Sequence, residues 1–402
     1  MILGALFILC GFVVVYSYGI YAALIWLLSR LFGRQESPPP LDDAHLPTVS
    51  LLIACYNEES VIRQRLLNAL ELDYPRNKLE IVIGSDGSDD YTADIVRSFE
   101  DRGVELLDYA QRRGKAAVLN ASMAKLHGQI VVLSDANTFT DPAAVRNLVR
   151  WFADPSIGAV CGRLVLTDPA TGGNVDSLYW RYETFLKKCE SRLGALLGSN
   201  GAIYAIRRTL FVPIPDDTIV DDFVIPLLSR LRHGRRIIYD ADAIAHEETA
   251  PDVAGEFRRR CRIGAGGFQA VGMLWRLLNP LRGWAALAFF SHKILRWLCP
   301  FALIGLAILN ILMLNRPFYR YVLCAQAAFY VICLIGWLAP GRSLPVRLLR
   351  VGAMFVGMNT ALLVGFWRWL SDTQRGAWQR TARSSEIVAA SDRDQHVGAI
   401  ET

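Results

Sequence analysis

The sequence predicts an α/β chain in which a mostly parallel, Rossmann-like sheet domain is flanked by transmembrane α-helices. Three observations predict it. Short apolar runs recur at 49–54, 81–84, 104–107, 130–133 and 159–165, with stretches of helical pattern between them. Strands alternating with helices of this length imply right-handed β-α-β crossovers. Charge-free apolar runs occupy 1–29, 297–315, 321–341 and 351–367, each near the ~20 residues that cross a hydrocarbon layer. Acidic clusters lie between these blocks, and two of them close predicted strands, where open parallel sheets collect ligands.

Taken in chain order, residues 1–29 read as an anchor rather than a cleaved leader. The run lacks a basic segment before its apolar part, is too long, and has no small-residue cleavage pattern. Arg30 and Arg34 follow it, which predicts an outside amino terminus and a cytoplasmic domain in the plasma or inner membrane. Residues 30–46 form a linker that contains the stiff Ser37-Pro38-Pro39-Pro40. The soluble domain is expected over 47–280, with helices at 59–72, 90–101, 115–127, 142–152 and 176–193. A return strand is expected at 198–206 and a helix at 221–231, closed by Gly234. Residues 281–296 mix apolar side chains with Lys293, Arg296 and Trp284, which suits a helix lying in the membrane interface. Spans over 297–370 and a polar, disordered tail over 371–402 complete the multi-pass reading.

The balance of 43 basic and 38 acidic residues gives a net charge of +5. With no Lys/Arg tract interleaved with aromatics, it argues against a nucleic-acid partner. The run Arg258-Arg259-Arg260-Cys261-Arg262 precedes the membrane block and reads by itself as a patch for lipid headgroups. Eight cysteines without paired spacing supply neither a zinc pattern nor a disulfide framework.

The acidic clusters carry the chemistry. Asp135-Ala136-Asn137 offers oxygens at i and i+2 at a strand end, a spacing that can hold Mg²⁺ or Mn²⁺ on a diphosphate; a plain turn cap is the alternative. Asp86, in Ser85-Asp86-Gly87-Ser88-Asp89-Asp90, either accepts hydrogen bonds from a base or ribose or caps the next helix. Ser88 or Asp89 can cap equally well, which would leave Asp86 free. Tyr56-Asn57-Glu58-Glu59 opens a helix after the first strand, where a nucleotide can bind, with Glu59 as a partner of the helix dipole. Arg113-Gly114-Lys115 puts cations at a helix start, which points to a nearby anion such as a pyrophosphate; a solvated surface pair is the alternative. Asp221-Asp222 pairs two carboxylates, so one with a raised pKa can act as general base, or both can cap the helix that follows. His233 and His246 read as structural.

In this order the segments resemble family 2 glycosyltransferases, the membrane-bound GT-A type that includes cellulose, chitin, hyaluronan and poly-N-acetylglucosamine synthases. The likeness runs from about Pro47 to Trp378. It rests on Ile53-Ala54-Cys55-Tyr56-Asn57-Glu58-Glu59, Ser85-Asp86-Gly87-Ser88-Asp89, Arg113-Gly114-Lys115-Ala116, Ser134-Asp135-Ala136-Asn137-Thr138, Gly198-Ser199-Asn200-Gly201-Ala202, Asp221-Asp222 and the Arg-rich segment to Gly266-Gly267. The resemblance implies that Tyr56, Asn57, Glu58 and Asp86 hold the uracil and ribose of a UDP-sugar, with Lys115 near the nucleotide. It implies Asp135, with Asn137 in place of a second acid, as metal ligands. Asn200 and Gly201 would line the acceptor side, and Asp222, beside Asp221, would take the acceptor proton.

The family's Gln-x-x-Arg-Trp stands here as Arg259-Arg260-Cys261-Arg262-Ile263, with Arg262 expected near the diphosphate and Arg259 beside it. Loss of that Trp weakens the case for a long processive product. The expected function is metal-dependent inverting transfer to a growing exported saccharide. Transfer of a single sugar to a membrane lipid is the alternative enzyme, and an inactive nucleotide-binding or transport partner is the non-enzymatic one.

Overall fold

The computed structural model describes residues 1–35, 37–38, 42–167, 178–249, 253–339 and 344–374. The carboxyl-terminal tail beyond 374, Pro39 and Pro40 of the linker, and the first two residues of the helix expected at 176–193 lie outside the described residues.

One eight-stranded sheet forms the core, in the order β3-β2-β1-β4-β7-β6-β8-β5. Its strands are β1 (Val49–Cys55), β2 (Leu79–Asp86), β3 (Val104–Tyr109), β4 (Ile130–Asp135), β5 (Thr138–Thr140), β6 (Ile157–Thr167), β7 (Tyr204–Arg207) and β8 (Arg236–Glu248). The half made of β3, β2, β1 and β4 is parallel throughout. Every residue of β1 is buried, which is why that strand reads as a continuous apolar run rather than an alternating one. β7 enters antiparallel between β4 and β6. From β1 the chain winds outward to β3, then returns to place β4 on β1's other side. This reversal opens a crevice at the carboxyl ends of β1 and β4.

Two apolar layers cover the sheet's faces, one containing Leu52, Val82, Val131 and Leu133 and the other Leu51, Ile53, Ile83 and Val132. The alternation between layers follows from the period-2 geometry of strands.

Some elements differ from the sequence reading. β8, 13 residues long, and the short β5 fall where no strand was expected. The Arg-rich segment forms part of the helix Val253–Leu274. Its glycines set how it packs. A Cβ on Gly266 would meet Val220 and Ile219 at 2.7–3.0 Å, and one on Gly267 would meet the Trp297 ring at 2.8 Å. Small residues therefore let this helix press against the sheet domain on one side and the apolar helices on the other.

Four helical runs are long and apolar enough to cross a membrane: Ile2–Phe32, Trp284–Leu312, Pro317–Leu338 and Leu348–Leu370. Large apolar side chains such as Phe12, Ile308 and Trp337 point outward from them, about half to two-thirds exposed, as a lipid-facing surface requires. The segment expected to lie in the interface (281–296) is not separate from the span after it; both belong to the run Trp284–Leu312, which passes through a π-turn at Phe289–Ile294.

The sheet domain meets these helices through the helix Leu178–Arg192. Tyr21 Oη donates to Glu190 Oε1 at 2.8 Å, and His292 Nδ1 lies 2.6 Å from the same oxygen. Arg296 Nη1 donates to Glu183 Oε1. The Arg296 guanidinium is flanked by the Tyr18 and Tyr182 rings at 5.5 and 5.6 Å. Charged groups buried this deeply persist only when paired.

Candidate active site

The crevice collects side chains from distant parts of the chain. β1 and β4 align Ala54 with Asp135, while β1 and β2 align Cys55 with Ser85. Asp86, Asp135 and the residues after Cys55 thus emerge at one sheet edge. Lys115, the first residue of the helix Lys115–Met123, reaches across it: its Nζ lies 2.6 Å from Asp135 Oδ1 and 3.3 Å from Asp221 Oδ2. Asp221 and Asp222 open the helix Asp221–His233. The three acidic clusters after the first therefore meet through one ammonium and one loop.

Burial alone would lower the Lys115 pKa; the Asp135, Asp221 and Asp222 carboxylates outweigh it and hold the ammonium protonated well above its usual range. Asp222 moves the other way. Burial, then the adjacent Asp221 charge, push its carboxyl up to about 6, with Lys115 only partly offsetting them. Of two neighbouring acids, the one less neutralised by the lysine is left ready to take a proton near neutral pH. Asp222 Oδ1 accepts from the Phe223 N–H at 3.0 Å, which gives one N–H of the helix's open first turn a partner.

Loop 198–203 closes the crevice. Ser199 N and Oγ both donate to the Asp222 carbonyl, at 3.1 and 2.7 Å. A Cβ on Gly201 would lie 2.8 Å from Asp135 Oδ2, so glycine is what lets this backbone approach the carboxylate.

Several expected ligands are otherwise engaged. Asp86 is 1% exposed, and its two oxygens accept from the Arg113 and Gly114 N–H groups at 2.7 and 2.9 Å. It is not the free carboxylate expected: the loop that presents Lys115 folds back over it, and Gly87, at φ +66°, permits that close approach. Asn57, at φ +54°, exchanges amide hydrogen bonds with Asp89, and its own N–H donates to Ser88 Oγ. Glu58 N donates to Thr92 Oγ1, and Glu59 N to Asp90 Oδ2. Glu59 therefore stitches loop to loop rather than starting a helix, which begins at Ile62. The Tyr56 ring is covered by the Arg112 guanidinium at 3.9 Å. Asn200 is likewise committed: Nδ2 donates to the Gly162 carbonyl at 2.8 Å and Oδ1 accepts from Ile203 N. Arg262 Nη1 donates to the Ile219 carbonyl at 3.3 Å. His246 pairs with Asp141.

Two residues missed in the sequence support the strand ends. Glu247 lies on β8 in phase with buried Ala243 and Ala245, a period-2 signal for an inward carboxylate. It accepts from Asn137 Nδ2 at 3.3 Å and lies 3.8 Å from Arg259 Nη2. Burial raises its pKa, and Arg259 opposes that rise. Arg65 is fully buried among Ile62, Leu66 and Ala69 and donates through Nη2 to Ser134 Oγ at 3.2 Å. A charge inside an apolar helical stripe was the available signal.

Among the described residues, no group of three or more His, Cys, Asp or Glu side chains converges as a metal site. A hard divalent ion bound with a diphosphate needs only one or two protein carboxylates. The donor set fits that requirement: Asp135 is a third exposed, and Asn137, its amide nitrogen turned to Glu247, keeps a neutral oxygen beside it.

Residues 50–211 match the model of glycosyl transferase family 2. That match contains Tyr56, Asp86, Lys115, Asp135 and Asn200, but not the Asp221-Asp222 pair. The chain is similar to poly-beta-1,6-N-acetyl-D-glucosamine synthases. It is 26% identical over 269 residues to the one from Staphylococcus aureus (strain COL) and 25% identical over 269 residues to one from Staphylococcus epidermidis. Each alignment covers 63% of this chain and 65% of the relative's length. Among solved structures, the mannosyltransferase PcManGT from Pyrobaculum calidifontis, in complex with GDP-Man and Mn²⁺, superposes with a TM-score of 0.70 at 24% identity. That likeness covers 91% of this chain and 99% of that one. The sheet domain and its apolar helices therefore share the fold of that enzyme.

Proposed function

We propose that this chain is a membrane-bound inverting glycosyltransferase that moves a sugar from a nucleotide-diphosphate donor to a saccharide or lipid-linked acceptor. The observation that carries the proposal is the Lys115 ammonium between Asp135 and Asp221, with Asp222 beside them at a pKa of about 6. Asp222 takes the acceptor hydroxyl proton as that oxygen bonds to the anomeric carbon from one face. The bond from that carbon to the diphosphate breaks on the other face, and the nucleoside diphosphate leaves. Lys115 stabilises the negative charge that develops on the leaving group. Asp135 and Asn137 would hold Mg²⁺ or Mn²⁺, which when bound supplies further neutralisation of the diphosphate. The nucleoside lies over Tyr56 and Glu58, and Asp86 contributes by fixing the 113–115 loop. Asn200 and Gly201 shape the acceptor side, while Arg259 and Arg262 brace it through Glu247 and Ile219.

The names of the relatives favour polysaccharide synthesis, and the motif resemblance to family 2 glycosyltransferases favours a UDP-sugar. PcManGT carries GDP-Man, so the base is decided by experiment. The domain, taken as 47–280, faces the cytoplasm, since Arg30 and Arg34 follow the first apolar helix. Single-sugar transfer to a membrane lipid is the second reading, favoured by Ile263 in place of the family's Trp.

The test uses purified full-length protein in detergent, with UDP-glucose, UDP-N-acetylglucosamine, UDP-galactose, UDP-glucuronate and GDP-mannose, each with Mg²⁺ or Mn²⁺ and with chelator. Release of nucleoside diphosphate from at least one donor, lost on Asp222→Asn while nucleotide binding persists, is the expected result. No binding of any donor overturns the proposal. Chain length of the product separates the two acceptor readings.

A further inference from the structure

The helix Ile62–Leu70 grips both ends of the turn that joins β4 to β5. At the first end, Arg65 Nη2 donates to Ser134 Oγ at 3.2 Å, immediately before Asp135. At the second, Asn68 exchanges hydrogen bonds with Thr140: Nδ2 donates to its carbonyl and Oδ1 accepts from its N–H, both at 2.9 Å. Arg65 Nη1 donates to the same Asn68 Oδ1 at 3.0 Å, so one guanidinium joins the two clamps. Asp135 and Asn137 lie between them. Ser134 Oγ in turn donates to the Ala202 carbonyl at 2.7 Å, next to the Gly201 whose Cβ would meet Asp135.

The guanidinium also sets the direction of these bonds. Arginine carries N–H donors and no acceptor. Ser134 must therefore send its own proton to Ala202, and Asn68 must turn its oxygen toward Arg65 and the Thr140 N–H. Stability does not account for a charge at this point. Arg65 is fully buried, its Nε has no partner, and among the described residues it forms no ion pair. Burial lowers its pKa to about 10, opposed by the charge of Asp135, so it stays charged at neutral pH. An unpaired buried charge costs folding free energy, and well-packed apolar replacements of buried charges are often neutral.

We infer that Arg65 is a positioning residue for the proposed transfer: through Ser134 and Asn68 it holds the turn that carries Asp135 and Asn137 at a fixed spacing from loop 198–203. The diphosphate side and the acceptor side of the crevice are thereby built as one unit. Arg65 itself touches neither substrate. The inference rests on the proposed transferase reaction and adds the buried group that orders its metal-holding turn.

The test measures the affinity of full-length protein in detergent for UDP and for GDP by titration calorimetry, with Mn²⁺ and with chelator. The ratio of the two affinities reads the turn, because Asp135 and Asn137 act on the nucleotide through the ion. Arg65→Met is expected to lower that ratio at least about tenfold and to leave the affinity in chelator within about twofold of wild type. Its melting temperature should stay within a few degrees. Arg65→Lys, which keeps a charged donor, is expected to restore part of the ratio. Ser134→Ala breaks the relay by loss of one hydroxyl and is expected to lower the ratio as Arg65→Met does, so it decides alone where Arg65→Met does not fold. The double variant should lose no more than either single one. An unchanged ratio in Ser134→Ala, losses that add in the double variant, or equal loss of affinity with Mn²⁺ and with chelator overturns the inference. A wild type that binds nucleotide but gains nothing from Mn²⁺ defeats this inference alone. A wild type that binds neither nucleotide defeats the donor site as well.

Discussion

Lys115 Nζ lies 2.6 Å from Asp135 Oδ1, so the strand-end carboxylate already carries a cation of the chain's own. The ammonium is shared with Asp221 at 3.3 Å. This makes Lys115 the hinge of the site's electrostatics, because removing it leaves two carboxylates facing each other. Lys115→Met is expected to lower turnover by about 10²–10³-fold, the scale of losing one preorganised charge-stabilising donor. Steady-state kinetics with the preferred donor check it; a loss confined to KM would reassign Lys115 to ground-state binding.

Asp222 predicts a pH profile. Its carboxyl, pushed up to about 6, is protonated below that value and cannot accept the acceptor proton. The rate is expected to rise about tenfold per pH unit below 6 and to flatten above about 7. Stability runs the opposite way. A folded-state pKa raised above the unfolded value favours folding at low pH, and that contribution is lost as pH rises through about 6. Asp222→Asn is therefore expected to gain thermal stability over wild type at pH 7.5 and little at pH 4, read by melting in detergent.

At Gly201, geometry alone gives a prediction. The Cβ of Gly201→Ala would lie 2.8 Å from Asp135 Oδ2. That oxygen ends a short side chain, so the fold can accommodate the change by turning the carboxylate away. Mn²⁺-dependent nucleotide affinity should fall at least about tenfold, with a melting temperature within a few degrees of wild type. A large drop in melting temperature would instead make Gly201 a folding residue.

The junction with the apolar helices rests on paired charges. Arg296→Met leaves Glu183 buried without its guanidinium and is expected to destabilise by about 3–5 kcal/mol. The double change Arg296→Met/Glu183→Gln should recover most of that loss, since it removes both charges. Unfolding in detergent of the two single variants and the double variant measures the coupling.

The alternation of buried runs and helices was legible because β1, β2 and β4 are covered on both faces, which forces continuous apolar segments. The apolar helices were legible from length and lack of charge. β8 was not, because buried Asp240 and the more exposed Asp242 and His246 interrupt its apolar residues. The start of the second apolar run shifted for a related reason: Lys293 and Arg296 look like interfacial charges in a linear reading but are sheltered by Phe223 and Glu183.

Residue types and their order along the chain were enough to name the carboxylates and the lysine that converge on one crevice, because period-2 strands put their terminal residues at a common sheet edge. Which of those groups is left to act was decided only in three dimensions. Asp86 and Asn57 are consumed by backbone and loop partners close in space but distant in sequence. Asp222 gains its proton affinity from burial and from Asp221, while Glu247 enters through β8, a strand whose mixed polar and apolar residues hid it in the linear reading. Hydrogen-bond partners and dielectric surroundings are properties of packing, and a one-dimensional pattern does not encode them.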